Sequence, residues 1–148
     1  MNALFQLLSE DDLKRFTGLM REFYSDQHLP FDQPVALSGL QKLIATPSLG
    51  QAYLIFLGSE AAGYFVLTFC FSLEFHGRFG LLDELYIRPQ FRRQKLARAS
   101  IEFAERICRE KHIKALRLEV GEENQPGLTL YQAAGFAQEK RRLFTRWL

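Results

Sequence analysis

The chain has 148 residues, 47% of them apolar and 14 of them phenylalanine, which suits one domain with a dense interior and argues against disorder. The net charge of +2 conceals a split: residues 1–87 carry −5 and residues 88–148 carry +7, so an anionic ligand is expected in the second part and a cationic one near the first. The basic residues of the second part are interleaved with Glu102, Glu105, Glu110 and Glu119, which argues against nucleic acid, and the two cysteines have no metal-like spacing.

Residues 1–10 lack a basic head followed by an apolar run, so no secretory signal is expected. The most apolar stretch, 61–75, is shorter than the ~20 residues a membrane helix needs, and its aromatic and β-branched residues suit a buried strand. Cys70 and Cys108 read as reduced core thiols. The expectation is a single cytoplasmic domain over residues 1–148, with no membrane contact.

In chain order, residues 3–8 read as a first short strand. Ser9 ahead of Asp11 and Asp12 is an N-cap signal, and Leu13, Phe16, Leu19, Met20 and Phe23 recur behind it at helical spacing. A loop with two prolines, 25–34, leads to a second helix over 35–46, stopped by Pro47. Strands over 51–57 and 61–75 flank the turn Gly58-Ser59-Glu60, and a turn at His76-Gly77-Arg78 opens a third strand, 79–87, that Pro89 ends.

The clearest helix runs over 92–111 with an apolar stripe of Leu96, Ala99, Phe103, Ile107 and Cys108, and the pairs Glu102–Arg106 and Glu105–Arg109 facing water. A strand over 115–120, a short helix opened by Pro126 and ended by Gly135, and a last strand over 141–148 complete the chain. The order β-α-α-β-β-β-α-β-α-β describes a mixed α/β (α+β) fold.

The chemistry is expected where the third of these strands meets the long helix, at Leu85-Tyr86-Ile87-Arg88-Pro89-Gln90-Phe91-Arg92-Arg93-Gln94-Lys95-Leu96-Ala97. Free N–H groups and the dipole make a helix N-terminus an anion site. Arg92, Arg93 and Lys95 put positive charge where the dipole disfavours it, which costs stability unless an anion such as a phosphate binds there. A merely solvated basic turn is the competing reading.

These residues resemble the GNAT superfamily of acyl-CoA-dependent N-acetyltransferases, whose pyrophosphate loop reads Arg/Gln-x-x-Gly-x-Gly/Ala after a strand ending Val/Ile-x-Pro. Ile87-Arg88-Pro89, Arg92 and Ala97 fit that pattern; Lys95 replaces its middle glycine, and Arg93 stands where a further glycine is common. Leu118-Glu119-Val120, Asn124 and the run from Leu130-Tyr131 to Gly135-Phe136 match the family's later pieces in order and spacing. The resemblance implies a mostly antiparallel central sheet flanked by helices, with acetyl-CoA as co-substrate and no metal. It implies that the backbone of Leu85, Tyr86 and Ile87 pairs with the pantetheine arm, that Arg92, Arg93, Gln94, Lys95, Leu96 and Ala97 cradle the pyrophosphate, and that Asn124 touches the cofactor.

By the same resemblance, an amine attacks the thioester directly in a ternary complex, with Tyr131 near the sulfur as acid. Asp83 and Glu84 are the candidate bases. Strand alternation sends them to opposite faces, and Asp83 comes slightly ahead because it shares the face of Leu85 and Ile87. An ion pair with Arg78, Arg88 or Arg117 is the competing role for either. His28, His76 and His112 read as surface or capping residues. The acceptor is expected to be a cationic amine of a small molecule or protein. A homodimer stays open, and Lys95 keeps alive a non-catalytic acyl-CoA-binding or regulatory domain as the alternative.

Overall fold

In this computed structural model, which describes residues 2–148, long apolar segments pair into one five-stranded sheet in the order β1-β2-β3-β4-β5. The strands are β1 (Ala3–Leu7), β2 (Gly50–Leu57), β3 (Glu60–Ser72), β4 (Gly77–Ile87) and β5 (Leu116–Leu118). The first four are antiparallel, and β5 joins β4 in parallel. Left-handed residues close both hairpins, Gly58 at φ 63° and His76 with Gly77 at 65° and 109°.

Four helices cover the sheet: α1 (Leu13–Asp26), α2 (Gln33–Ala45), α3 (Leu96–Glu110) and α4 (Gln125–Ala133). On one face Phe16, Leu19 and Met20 of α1 and Leu40 of α2 pack against Leu54, Phe56, Tyr64 and Tyr86. On the other, Leu96, Ile101, Ala104 and Ile107 of α3 pack against Ile55, Phe65, Leu67 and Leu82. No helix among the described residues is long and apolar enough to cross a membrane.

Four details differ from the sequence reading. Helix α3 starts at Leu96, because Lys95 is left-handed, and it buries Ser100, Ile101 and Ala104 while Ala99 and Phe103 stay half-buried. Ser100 can be buried because its hydroxyl donates to the Leu96 carbonyl at 2.8 Å. Of the expected surface pairs, Glu105–Arg109 forms at 4.0 Å, whereas Glu102 pairs with Arg98 and Arg106 lies over the Phe103 ring. Both cysteines are free thiols, Cys108 buried but Cys70 only half-buried. The segment 141–148 joins no sheet, since no strand lies beside it to take its hydrogen bonds.

The strand β4 carries one extra residue. Val66 faces Glu84 and Leu67 faces Leu82, so Asp83 is the unpaired residue of a β-bulge. The bulge resets the alternation: Leu82, Leu85 and Ile87 all join the α3 face, while Glu84 and Tyr86 turn to the α1 face. Further along, β3 and β4 run so close that a Cβ on Gly63 would lie 2.0 Å from the Tyr86 carbonyl oxygen. Gly63→Ala is expected to lower stability by about 1–3 kcal/mol. By contrast Gly18, inside α1, has nothing within 4 Å of its Cβ position. Gly18→Ala is expected to raise stability by roughly 0.5–1 kcal/mol, and urea unfolding of the two variants measures both shifts.

Candidate active site

β5 accompanies β4 only over Gly80, Leu81 and Leu82. Beyond Asp83 no strand among the described residues pairs with the β4 edge on that side, because β5 ends at Leu118. Leu85 and Ile87 send their side chains toward α3. Tyr86 sends its ring the other way, its hydroxyl donating to Glu22 Oε2 at 3.1 Å; burial first, and Glu22 second, push that phenol up to about 12. What the three residues offer at that free edge is therefore backbone.

The chain then enters a 3-10 turn (Pro89–Phe91), and buried Phe91 and Leu96 pin both ends of the exposed stretch 92–95. Arg93 and Lys95 both sit at φ 62°, in the left-handed region that costs a side-chain-bearing residue about 1–3 kcal/mol. Among the described residues no acceptor takes the backbone N–H groups of Arg93 through Arg98, six donors in succession at the start of α3. Successive donors around left-handed residues form a nest that fits an anion, and the helix dipole adds to it. The chain thus has the donor set a pyrophosphate requires. The Arg92 side chain is engaged elsewhere, its Nε donating to the Ile87 carbonyl at 2.9 Å and its Nη2 lying 3.3 Å from Asp26.

The two acids are treated differently. Glu84 accepts a hydrogen bond from Tyr24 at 2.6 Å on one carboxylate oxygen and from Tyr64 at 2.8 Å on the other. Burial raises Glu84 above the ordinary glutamate value; the two tyrosines pull it down, and the Asp83 charge pushes it up. Asp83 lies in the bulge and is exposed at the surface, yet partial desolvation and then Glu119 raise it as well. Neither acid pairs with a base among the described residues. Arg88 goes to Glu22, Arg117 to Glu139, and Arg78 lies over the Phe69 ring.

Tyr131 is half-buried on α4, edge-on to Phe136 with ring centres 6.1 Å apart, and desolvation raises its phenol. Asn124 caps α4, its Oδ1 accepting from the Gly127 N–H at 3.0 Å. His28, His76 and His112 each hold a left-handed backbone position, at φ 54°, 65° and 57°. Tyr24, Tyr64 and Glu22 were not singled out in the sequence, although Tyr24 continues the α1 stripe four residues past Met20.

The sequence pattern of the acetyltransferase (GNAT) family matches residues 5–136. The chain belongs to that family. Among its relatives, a thialysine N-epsilon-acetyltransferase from Caenorhabditis elegans is 32% identical over 84 residues, which are 57% of this chain and 52% of that protein. The match thus spans about half the length of that relative. An integron cassette protein from the mobile metagenome of Cole Harbour Salt Marsh superposes with a TM-score of 0.86 at 29% identity, covering 97% of this chain and 90% of the other. The fold is also that of an aminoglycoside N-acetyltransferase solved with CoA, TM-score 0.82 at 16% identity over 99% and 95% of the two chains.

Within this GNAT domain the strain at the loop is open to direct test. Lys95→Gly removes a Cβ from a left-handed position at the N-cap of α3. It is expected to stabilise the protein by about 1 kcal/mol, which raises Tm by roughly 2–4 °C in a calorimetric scan.

Proposed function

We propose that the protein transfers an acetyl group from acetyl-CoA to a cationic primary amine by direct attack within a ternary complex. The observation that carries this reading is the Glu84 carboxylate, half-buried on β4, held by two phenols and unpaired with any arginine. A group so placed is kept ionisable and free to take a proton. Bound acetyl-CoA would supply the thioester, with its phosphates at the N–H groups of residues 93–98 and its arm along the β4 edge at Leu85 and Ile87.

In this reading Glu84 takes the proton from the incoming ammonium, directly or through a water. Tyr131, kept protonated by desolvation, gives a proton to the departing thiolate. Geometry favours Glu84 over Asp83, because the bulge puts Asp83 in solvent and Glu84 on the α1 face. Thialysine and aminoglycosides, for which two of the compared proteins are named, are both amines. Lys95 in a family glycine position supports the second reading, a domain that binds acyl-CoA without turnover. Its exposed side chain can nevertheless swing out and meet a phosphate oxygen.

Release of free CoA across a panel of amines, alongside calorimetric binding of acetyl-CoA, separates the two. The enzyme reading expects binding that weakens with salt and turnover that prefers acceptors with a second positive charge. Binding without turnover of any amine supports the second reading. Tyr131→Phe is expected to keep CoA affinity and lower kcat by roughly 10- to 1,000-fold.

The pH dependence has a definite sign. Glu84 acts as a carboxylate, so activity is present above its pKa and lost as pH falls through it. Tyr24→Phe removes a hydrogen bond that favours the ionised form. The acid limb of kcat/KM should therefore move to higher pH in that variant and disappear in Glu84→Gln. An acid limb unchanged in both would place the base elsewhere.

A further inference from the structure

Arg88 and Arg92, at the junction of β4 and α3, pair with Glu22 and Asp26 on the last turns of α1. The two ties are unequal. Glu22 accepts from Arg88 at 3.2 Å and from the Tyr86 hydroxyl at 3.1 Å, and Arg88 also reaches the Ala61 carbonyl. Asp26 has one side-chain contact among the described residues, Arg92 Nη2 at 3.3 Å, and both side chains are about half exposed. It also stands at the carboxyl end of α1, where the dipole disfavours an acid, and that last turn holds no basic residue of its own. Arg92 is the one cation that offsets it there.

The same guanidinium reaches the free strand edge, its Nε donating to the Ile87 carbonyl at 2.9 Å. The direction of that carbonyl follows from the pairing. The Arg88 N–H donates across to the Ala62 carbonyl of β3 at 2.8 Å. By antiparallel alternation the peptide groups of Ile87, one residue earlier, point the opposite way. On that side β5 pairs with β4 only as far as Leu82. An added strand would use the Ile87 carbonyl as an acceptor, and Arg92 already lies on it.

We infer that Arg92 is a latch on the cofactor edge and that Asp26 holds it shut. A diphosphate on the N–H groups of residues 93–98 stands next to Arg92 in the chain. Arginine forks onto a phosphate, and its bonds to a charged acceptor are roughly twice as strong as those to a neutral carbonyl. The exposed pair with Asp26 is weak by comparison. The phosphate therefore draws the guanidinium off, and the Ile87 carbonyl is released to an amide N–H of the pantetheine arm. A ligand with the arm but no phosphate meets the latch closed. The inference rests on acetyl-CoA lying along the β4 edge, as proposed above. It adds that Asp26, a positioning residue on another element, helps set how tightly the cofactor is held.

Calorimetry on the full chain and its Asp26→Asn variant provides the test. Asp26→Asn keeps the side-chain size at an exposed helix end and removes the charge that holds the latch. Acetyl-CoA is expected to bind that variant about 2- to 5-fold more tightly, the range an exposed ion pair sets. Neutral S-acetylpantetheine, titrated into ¹⁵N-labelled protein, separates the latch from simple charge repulsion, because it has no phosphate for Asp26 to repel. It too should bind Asp26→Asn about 2- to 5-fold more tightly. The Arg92 Nε–H resonance, assigned by its loss in Arg92→Lys, should shift when acetyl-CoA binds. Equal affinity of parent and variant for acetyl-CoA overturns the latch. So does a gain confined to acetyl-CoA, with S-acetylpantetheine binding both proteins alike or neither, or an Arg92 Nε–H that bound acetyl-CoA leaves unmoved. A parent that binds no acetyl-CoA overturns the cofactor reading itself, and the latch with it.

Discussion

The extra residue at Asp83 displaces the alternation of β4 by one, and the arrangement of the site follows from that displacement. Without it Glu84 would share the face of Leu82 and point into the apolar cluster under α3, where a carboxylate has no partner. With it Glu84 faces α1 and meets the hydroxyls of Tyr24 and Tyr64. The same residue marks where β4 leaves β5, since their pairing ends at Leu82. One bulge thereby sets both the acid and the open strand edge.

The loop that follows works by a different balance. Phe91 and Leu96 are buried and fix its ends, and between them Arg93 and Lys95 hold left-handed conformations that glycine would adopt without strain. The six unpaired N–H groups and the basic side chains concentrate positive potential at the start of α3. That arrangement costs stability by itself, and an anion bound there would offset the cost. Stability held back at one loop is consistent with a site shaped for phosphate rather than for folding alone.

Much of the architecture was legible in the residues. The strands beginning near Gln51, Ala61 and Phe79 are long and apolar because they are buried on both faces, and Gly58 and Gly77 mark their turns. The bulge was not legible, because no glycine or proline announces it and Asp83-Glu84 reads equally well as regular alternation. The phase of α3 was missed because Ser100 is polar yet buried, satisfied by its own helix. Residues 141–148 read as a strand, but a strand forms only where another lies beside it. The partners of Glu84 were hidden for a related reason: Tyr24 is 60 residues away in sequence, and only the packing of α1 on the sheet brings them together.

The most direct test of the account is a crystal structure of the intact protein with CoA. Phosphates are expected on the N–H groups of residues 93–98, the pantetheine arm along the free β4 edge at Leu85 and Ile87, and the sulfur end on the side where Glu84 and Tyr131 can act. CoA bound away from the β4 edge, or phosphates held only by side chains while those N–H groups face solvent, would contradict it.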